Sequence, residues 1–373
     1  MVQDHSAADR TLVILNAYAG EAFRLTDFVE LSSVYLPLAQ HFRQVVLIVP
    51  NVVPAQDDLP ANFELVRVPG SLRRPLGFVW SAARAAAQAA RARQATVWVQ
   101  DPTICGIAGL VAARRTGAHL VIDLHNNFWS PWGRFSPVAK ITGVIARAVA
   151  RRADRVIAVS GWIAWHAKLH GIVVIPSPVQ LDTFVPAATP DPQLQNDDDP
   201  PVVVPAALIK RKGHSILLQA LALLRLRGDI PRFAFVGEGA ERKALNDLAL
   251  RLGLDDRIVF FGQRRHDAMP GVYAAARFVL LPSLDEGAPR AVAEAMAVRR
   301  LLVTTPASGA LVRDGETGIL CAPEPAALAA AIERALTLDA GQREAMLDRA
   351  EALVHSEFAQ RSVIDRILAV LTP

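Results

Sequence analysis

Two doubly wound α/β units, each a parallel sheet with helices on both faces, are predicted by three observations. Short apolar runs of strand length alternate, in two successive series, with helix-length amphipathic stretches, the pattern of parallel sheets buried on both sides. Residues 191–200 (DPQLQNDDDP) interrupt that pattern with proline, acid and amide and no apolar period. The 373 residues also exceed what one ordinary core accommodates, so two domains follow. The expected division is a first domain over 1–185, a linker over 186–200, a second domain over 201–355 and a terminal helical segment over 356–373.

In the first half, Thr11-Leu-Val-Ile-Leu15 opens the sheet and Val45-Val-Leu-Ile-Val49 follows, with a helix expected over 31–42 between them. Further strands are expected at 64–68, 96–99, 119–123, 155–159 and 172–175, from their short apolar and β-branched runs. A helix over 80–93 places Arg84, Gln88 and Arg91 along one solvated side. The second series begins at Val202-Val-Val204 and continues at 233–236, 258–261, 278–281 and 301–303, and a last helix covers 360–371. Ligands of such sheets lie beyond the carboxyl ends of the strands, so the loops after these runs are where chemistry is expected.

Composition bounds the function. Hydrophobic residues make up 52% of the chain, much of it alanine in helical runs such as 82–92. No stretch reaches the roughly 18 uninterrupted apolar residues of a membrane span. Residues 1–10 carry Asp4 and Asp9 without an apolar signal region, so no secretion is expected. Cys105 and Cys321 lie far apart, which argues against a disulfide framework and fits a reducing, cytoplasmic compartment. A net charge of +4 permits an anionic partner without requiring nucleic acid.

The run 282–296, PSLDEGAPRAVAEAM, holds the most informative pair, Glu286 and Glu294. It follows the apolar strand at 278–281. Pro289 suits the first position of a helix that continues over 291–297. Glu286 is therefore expected in the loop and Glu294 in the helix, with lean backbone at Gly287 and Ala288 between them. Free amides and the dipole at the helix start favour an anion. Carboxylates flanking an anion site suit a sugar nucleotide, with hydroxyls at both ends and a diphosphate in the middle. The same spacing also fits one surface glutamate and one helix-face glutamate.

The run resembles the retaining glycosyltransferases of the large glycogen-synthase-like and sucrose-synthase-like superfamily, numbered family four, through Pro282, Ser283, Glu286, Gly287, Glu294, Ala295, Met296 and Ala297. Segments 235–245 (FVGEGAERKAL), 252–262 (LGLDDRIVFFG), Lys212-Gly213, 153–160 (ADRVIAVS) and 174–184 (VIPSPVQLDTF) resemble the landmarks of the same family. The resemblance spans residues 120–320 and implies the GT-B fold: two Rossmann-like, doubly wound parallel-sheet domains facing across a cleft. The first domain would face the acceptor, the second would bind the nucleotide sugar, and the last helix would cross back to the first domain. The implied activity is retaining transfer from a nucleoside-diphosphate sugar to a glycan or lipid-linked acceptor, with no obligatory metal or cofactor. By the same resemblance Lys212 is the phosphate lysine, Glu286 binds donor-sugar hydroxyls, and His125, ending the strand at 119–123, lies near sugar and acceptor. Glu294 would grip the ribose, with Gly287, Ala288, Pro289, Arg211, Lys210, Gly237 and Gly20 completing the donor site.

The chain departs from the family pattern at three places. Ala207 stands where an arginine usually precedes the lysine by five residues, Val298-Arg299-Arg300 replaces small residues, and Ala310 beside Ser308-Gly309 replaces an acid. These departures keep open a non-catalytic, nucleotide-binding subunit. Asp197-Asp-Asp199 reads as a charge run, and His166 with His170 has the helical spacing of a zinc pair but no third ligand, so no metal is expected. Segments 128–135 (FWSPWGRF) and 72–80 (LRRPLGFVW) mix aromatics with arginines, and the helix after 135 carries Lys140, Arg147 and Arg151 on one face. Trp129, Trp132 and Ser160 are the acceptor-side candidates. The mixture fits stacking on a sugar acceptor or contact with an anionic membrane at its inner face, and equally tryptophans in a core beneath surface arginines.

Overall fold

The computed structural model describes residues 7–17, 30–50, 59–69, 75–91, 94–129, 137–196, 198–287, 290–308 and 311–372. The chain divides into two compact units, Met1–Pro178 with Gln360–Pro373, and Val179–Ala359.

The first unit contains β1 (Thr11–Leu15), α1 (Leu36–Ala39), β2 (Gln44–Pro50), β3 (Phe63–Val68), α2 (Pro75–Ala89), β4 (Ala95–Val99), α3 (Ile104–Thr116), β5 (His119–Leu124), α4 (Pro137–Ala150), β6 (Arg155–Ala158), α5 (Gly161–Ala167) and β7 (Ile172–Val174). Its sheet is ordered β3-β2-β1-β4-β5-β6-β7 with every pairing parallel. Thr11 of β1 lies opposite Gln44 on one side and Ala95 on the other. All five residues of β1 are buried, which is why its sequence is an apolar run without polar alternation. The helix expected over 31–42 is a wide π turn, Leu31–Tyr35, followed by α1. Pro37 has no N–H to return to the preceding turn, which a regular helix there would require. The helix expected from residue 80 begins earlier, at Pro75, a residue suited to a helix start.

The second unit contains β8 (Val202–Pro205), α6 (His214–Arg225), β9 (Phe233–Val236), α7 (Arg242–Arg251), β10 (Ile258–Gly262), α8 (Met269–Ala274), β11 (Phe278–Leu281), α9 (Arg290–Ala297), β12 (Leu302–Thr304), β13 (Ile319–Leu320), α10 (Pro325–Thr337) and α11 (Ala340–Phe358). The order is β10-β9-β8-β11-β12-β13, again parallel throughout. Strand residues alternate between two cores. Val202, Val204, Phe233, Phe235, Phe278 and Leu280 pack with Leu217, Leu221 and Ile332 of α6 and α10. Val203, Ala234, Val236, Val279 and Leu281 pack with Val292, Met296 and Val354 of α9 and α11. A sheet covered on both faces needs apolar residues at both phases of the two-residue strand period.

Two segments sit differently from the composition-based division. Residues 186–200, expected as a linker, belong to the second unit: Leu194 is buried and the Asp191 amide donates to the Gly271 carbonyl at 2.9 Å. One leucine in a polar segment is a weak pattern, yet it anchors the turn. The second unit begins earlier, at Val179, which forms a bridge with Ala359. Helix α12 (Gln360–Leu371) belongs to the first unit, where Val363, Ile364, Ile367 and Leu371 share a core with Leu12, Ile14 and Trp98. Thr96 Oγ1 donates to the Leu371 carbonyl at 2.8 Å, tying the helix to β4.

Candidate active site

In the second unit the chain leaves β8 toward β9 on one side and returns as β11 on the other. The carboxyl ends of β8 and β11 are thus the switch point where open α/β sheets form their crevice. The loop after β8 ends in a tight turn, Lys210–Lys212, closed by Gly213 in the left-handed region. It meets the loop after β11, where the Leu284 amide donates to the Arg211 carbonyl at 2.8 Å. A side-chain carbon on Gly213 would lie 2.0 Å from the Pro282 carbonyl oxygen. Gly213 thus lets one loop approach the other. Gly237, after β9, has a similar reason, since a Cβ there would come within 2.2 Å of the Ala206 oxygen.

These loops bring Lys212 and Glu286 together. The lysine Nζ lies 2.6 Å from each carboxylate oxygen, and Ser283 Oγ donates to Oε1 at 2.6 Å. The Ser283 carbonyl in turn accepts from Thr305 Oγ1. Glu286 is only 4% exposed. The lysine and the added hydrogen bond from the serine offset the cost of withdrawing that carboxylate from water.

Glu294, on α9, is also buried but has other partners. Its Oε2 accepts from the Tyr273 hydroxyl at 2.7 Å, and His266 Nδ1 stands 3.8 Å from Oε1. Burial and the facing carboxylate push the Tyr273 phenol well above its ordinary pKa, so it stays a donor. The Phe184 ring packs 5.2 Å from that of His266. Sequence reasoning missed Tyr273, His266 and Thr305. Each stands many residues from the group it contacts, and only the fold brings them near.

Lys210 is exposed, Arg211 half-buried and Gly287 buried beside Glu286. Ala207 is exposed and brings no charge to the loop. Ala288, Pro289, Gly20 and Trp132, with Asp197 and Ala310, lie outside the described residues.

The corresponding switch point of the first unit lies between β1 and β4. There Asn16 Nδ2 donates to Gln100 Oε1 at 2.6 Å and to the Tyr35 hydroxyl at 3.1 Å. Asp101 accepts from Thr103 Oγ1 and the Cys105 amide, fixing the start of α3; burial raises its pKa against those hydrogen bonds. His125 follows β5, its Nε2 3.1 Å from Asp123 Oδ2. Trp129 donates through Nε1 to the Gly143 carbonyl at 2.8 Å, with the Arg147 guanidinium 5.3 Å from its ring centre. Ser160 is buried and caps α5 by accepting from the Ile163 amide, a local structural task. His166 bonds the Trp162 carbonyl. Among the described residues no group of three or more His, Cys, Asp or Glu side chains is placed to hold a metal ion.

Comparison with known proteins fits this geometry. Residues 199–338 match the family model described as glycosyl transferases group 1, and residues 37–183 match that of glycosyltransferase family 4. An alpha-D-kanosaminyltransferase of Streptomyces kanamyceticus is 31% identical over 177 residues, 47% of this chain and 46% of the relative. The chain spans less than half the length of the first curated relatives it matches. Sucrose-phosphate synthase from Thermosynechococcus elongatus superposes with a TM-score of 0.80 at 21% identity, over 96% of this chain and 97% of that one. Anabaena HepE, solved in complex with UDP-glucose, gives 0.76 at 21% identity, over 97% and 99%. The fold is that of the GT-B glycosyltransferases, and the chain belongs to their family-four group.

Proposed function

We propose that this protein is a retaining glycosyltransferase moving a sugar from a nucleoside-diphosphate donor to a glycan or lipid-linked acceptor, with no obligatory metal. The observation that carries the reading is the Lys212–Glu286 ion pair, its carboxylate buried, at the β8/β11 switch point. Breaking the anomeric carbon–oxygen bond releases a diphosphate, and a fixed ammonium beside it stabilises the charge as it develops. Lys212 supplies that ammonium, Arg211 and Lys210 extend the positive field, and Glu286 orients the lysine while accepting from sugar hydroxyls. Glu294, held by Tyr273, accepts from the ribose, and Gly287, Ala288, Pro289 and Gly237 line the donor. His125, Gly20, Trp129, Trp132 and Ser160 are assigned to the first unit's share of the reaction. A UDP-sugar is the first donor class to test, because HepE was solved with UDP-glucose.

Thermal shift against uridine, guanosine and adenosine diphosphates identifies the base, since ligand bound to the native state raises its apparent stability. Turnover is then measured on the matching sugars with Glu286→Gln and Lys212→Ala. Both variants are expected to remain folded and to lose transfer, and the anomeric proton coupling of the product is expected to report retention. Tight nucleotide binding without turnover on any donor would overturn the reading.

The acceptor is proposed to be met at an anionic membrane surface. On α4, Val138, Ile141 and Val144 are at least 60% exposed, Lys140 is exposed beside them, and the helix contains no acid. Such a stripe gains by lying against lipid, with the cations at the headgroups. Vesicles rich in phosphatidylglycerol should sediment the protein and phosphatidylcholine vesicles should not. Ile141→Ser with Val144→Ser should reduce that binding about tenfold or more. Equal binding to both lipids, or to wild type and variant, removes the membrane from the proposal.

A further inference from the structure

The residues just before β11 and those after α9 border a cavity in the same unit, at the opposite end of β11 from Glu286. It has a volume of about 280 Å³ and is lined by Arg277, Arg299, Arg300, Arg343 and Glu344. The four arginines are not equivalent. Arg299 is neutralised by Glu344, Asp348 and Glu351, each within 2.8 Å. Arg277 stands 3.6 Å from Asp199. Among the described residues Arg300 has no carboxylate partner: its Nε donates to the Tyr273 carbonyl at 3.0 Å and its Nη2 to the Ala274 carbonyl at 2.7 Å, at the end of α8. Arg343 likewise donates to a carbonyl, that of Arg277.

Those carbonyls account for some of the N–H groups but neutralise neither charge. The last turn of α8 offers only a partial negative pole. Burial, and then the nearness of Arg343, lowers the pKa of Arg300; burial, opposed by Glu344 and reinforced by Arg277, lowers that of Arg343. Two half-buried guanidinium groups share one cavity whose lining carboxylate, Glu344, is already bound by Arg299, and a bound dianion would offset their remaining charge. Guanidinium forks suit phosphate oxygens better than any neutral ligand.

We propose that this cavity is a phosphate-binding site, separate from the candidate active site and open to a free phosphate ester or a lipid phosphate. The full-length protein is titrated with inorganic phosphate at constant ionic strength, followed by calorimetry, alongside Arg343→Gln, Arg300→Gln and Lys212→Ala. Loss of a charge-assisted contact corresponds to about a ten- to hundredfold weaker Kd. Saturable binding is expected in wild type and in Lys212→Ala, weakened by that factor in Arg343→Gln. Should Arg300→Gln fail to fold, because the end of α8 loses its donors, Arg343→Gln still decides. A hexose monophosphate and phosphatidic acid vesicles then distinguish the two sources, the former competing with inorganic phosphate in solution. No saturable phosphate binding, or binding unchanged in Arg343→Gln and lost in Lys212→Ala, overturns the proposal.

Discussion

The two units carry sheets of the same order around their first strand, yet their switch points are furnished in opposite ways. In the first unit the ends of β1 and β4 present two amides, Asn16 and Gln100, bonded to each other, and Asn16 also bonds the Tyr35 hydroxyl. In the second unit the loops after β8 and β11 present a half-buried lysine paired with a buried glutamate. Topology thus offers two crevices, and side-chain chemistry decides what each receives. Under the proposed function a diphosphate is expected where the cation is, in the second unit; the amide and phenol network of the first suits hydroxyl groups or a structural task.

The largest expected effect breaks this contrast or confirms it. Lys212→Ala should lower kcat/KM about a thousandfold, the upper range for removing one group that stabilises developing charge. Asn16→Ala should lower it less than about tenfold, as for a neutral hydrogen bond next to the chemistry. Initial rates with the donor found by nucleotide screening provide the check. Comparable losses in both would mean that charge at the switch point is not what separates the units.

The glycines sharpen the same comparison at the level of stability. Gly213 and Gly117 have nearly the same backbone, with φ of 73° and 72°. Around Gly117, the cap of α3 in the first unit, an added Cβ meets nothing within 4 Å, whereas at Gly213 it meets the Pro282 carbonyl at 2.0 Å. Gly117→Ala should therefore cost about 1 kcal/mol, the left-handed penalty alone. Gly213→Ala should cost about 4 kcal/mol, because two loops must also separate. Urea unfolding midpoints of the two variants measure the difference, and equal costs would show that the loop contact is readily relaxed.

Much of this was legible in the sequence because the relevant signals were local. The strands were visible as apolar runs, since a sheet buried on both faces needs no polar phase. Glu286 and Lys212 were legible as strand-end residues, although the bidentate pairing between residues 74 apart was not. What escaped were features made by tertiary contact. Leu194 hides in a polar segment until the fold buries it, Tyr273 reads as an ordinary helix residue until Glu294 faces it, and the need for glycine at 213 shows only once Pro282 fills the space beside it.

Two histidines give the smallest and most discriminating test. His214 begins α6 in the second unit, is 2% exposed, and neither ring nitrogen has a hydrogen-bond partner among the described residues. Burial, then the neighbouring Lys212, lowers its pKa to about 4. His119, in β5 of the first unit, is also lowered by burial, but Asp154 at 3.6 Å opposes the shift. A histidine whose folded pKa is depressed stays neutral while the unfolded chain takes up a proton, so stability falls as pH drops below about 6.5. For His214 the loss at pH 5 should be about 2 kcal/mol, and His214→Leu should abolish it. His119→Leu should flatten the acid limb less, because the Asp154 carboxylate already favours the charged ring. Unfolding free energies of the three proteins at pH 7.5 and pH 5 test this ordering, and an acid limb unchanged in His214→Leu would mean that its ring gains a proton freely, at odds with the dry packing beside Phe235.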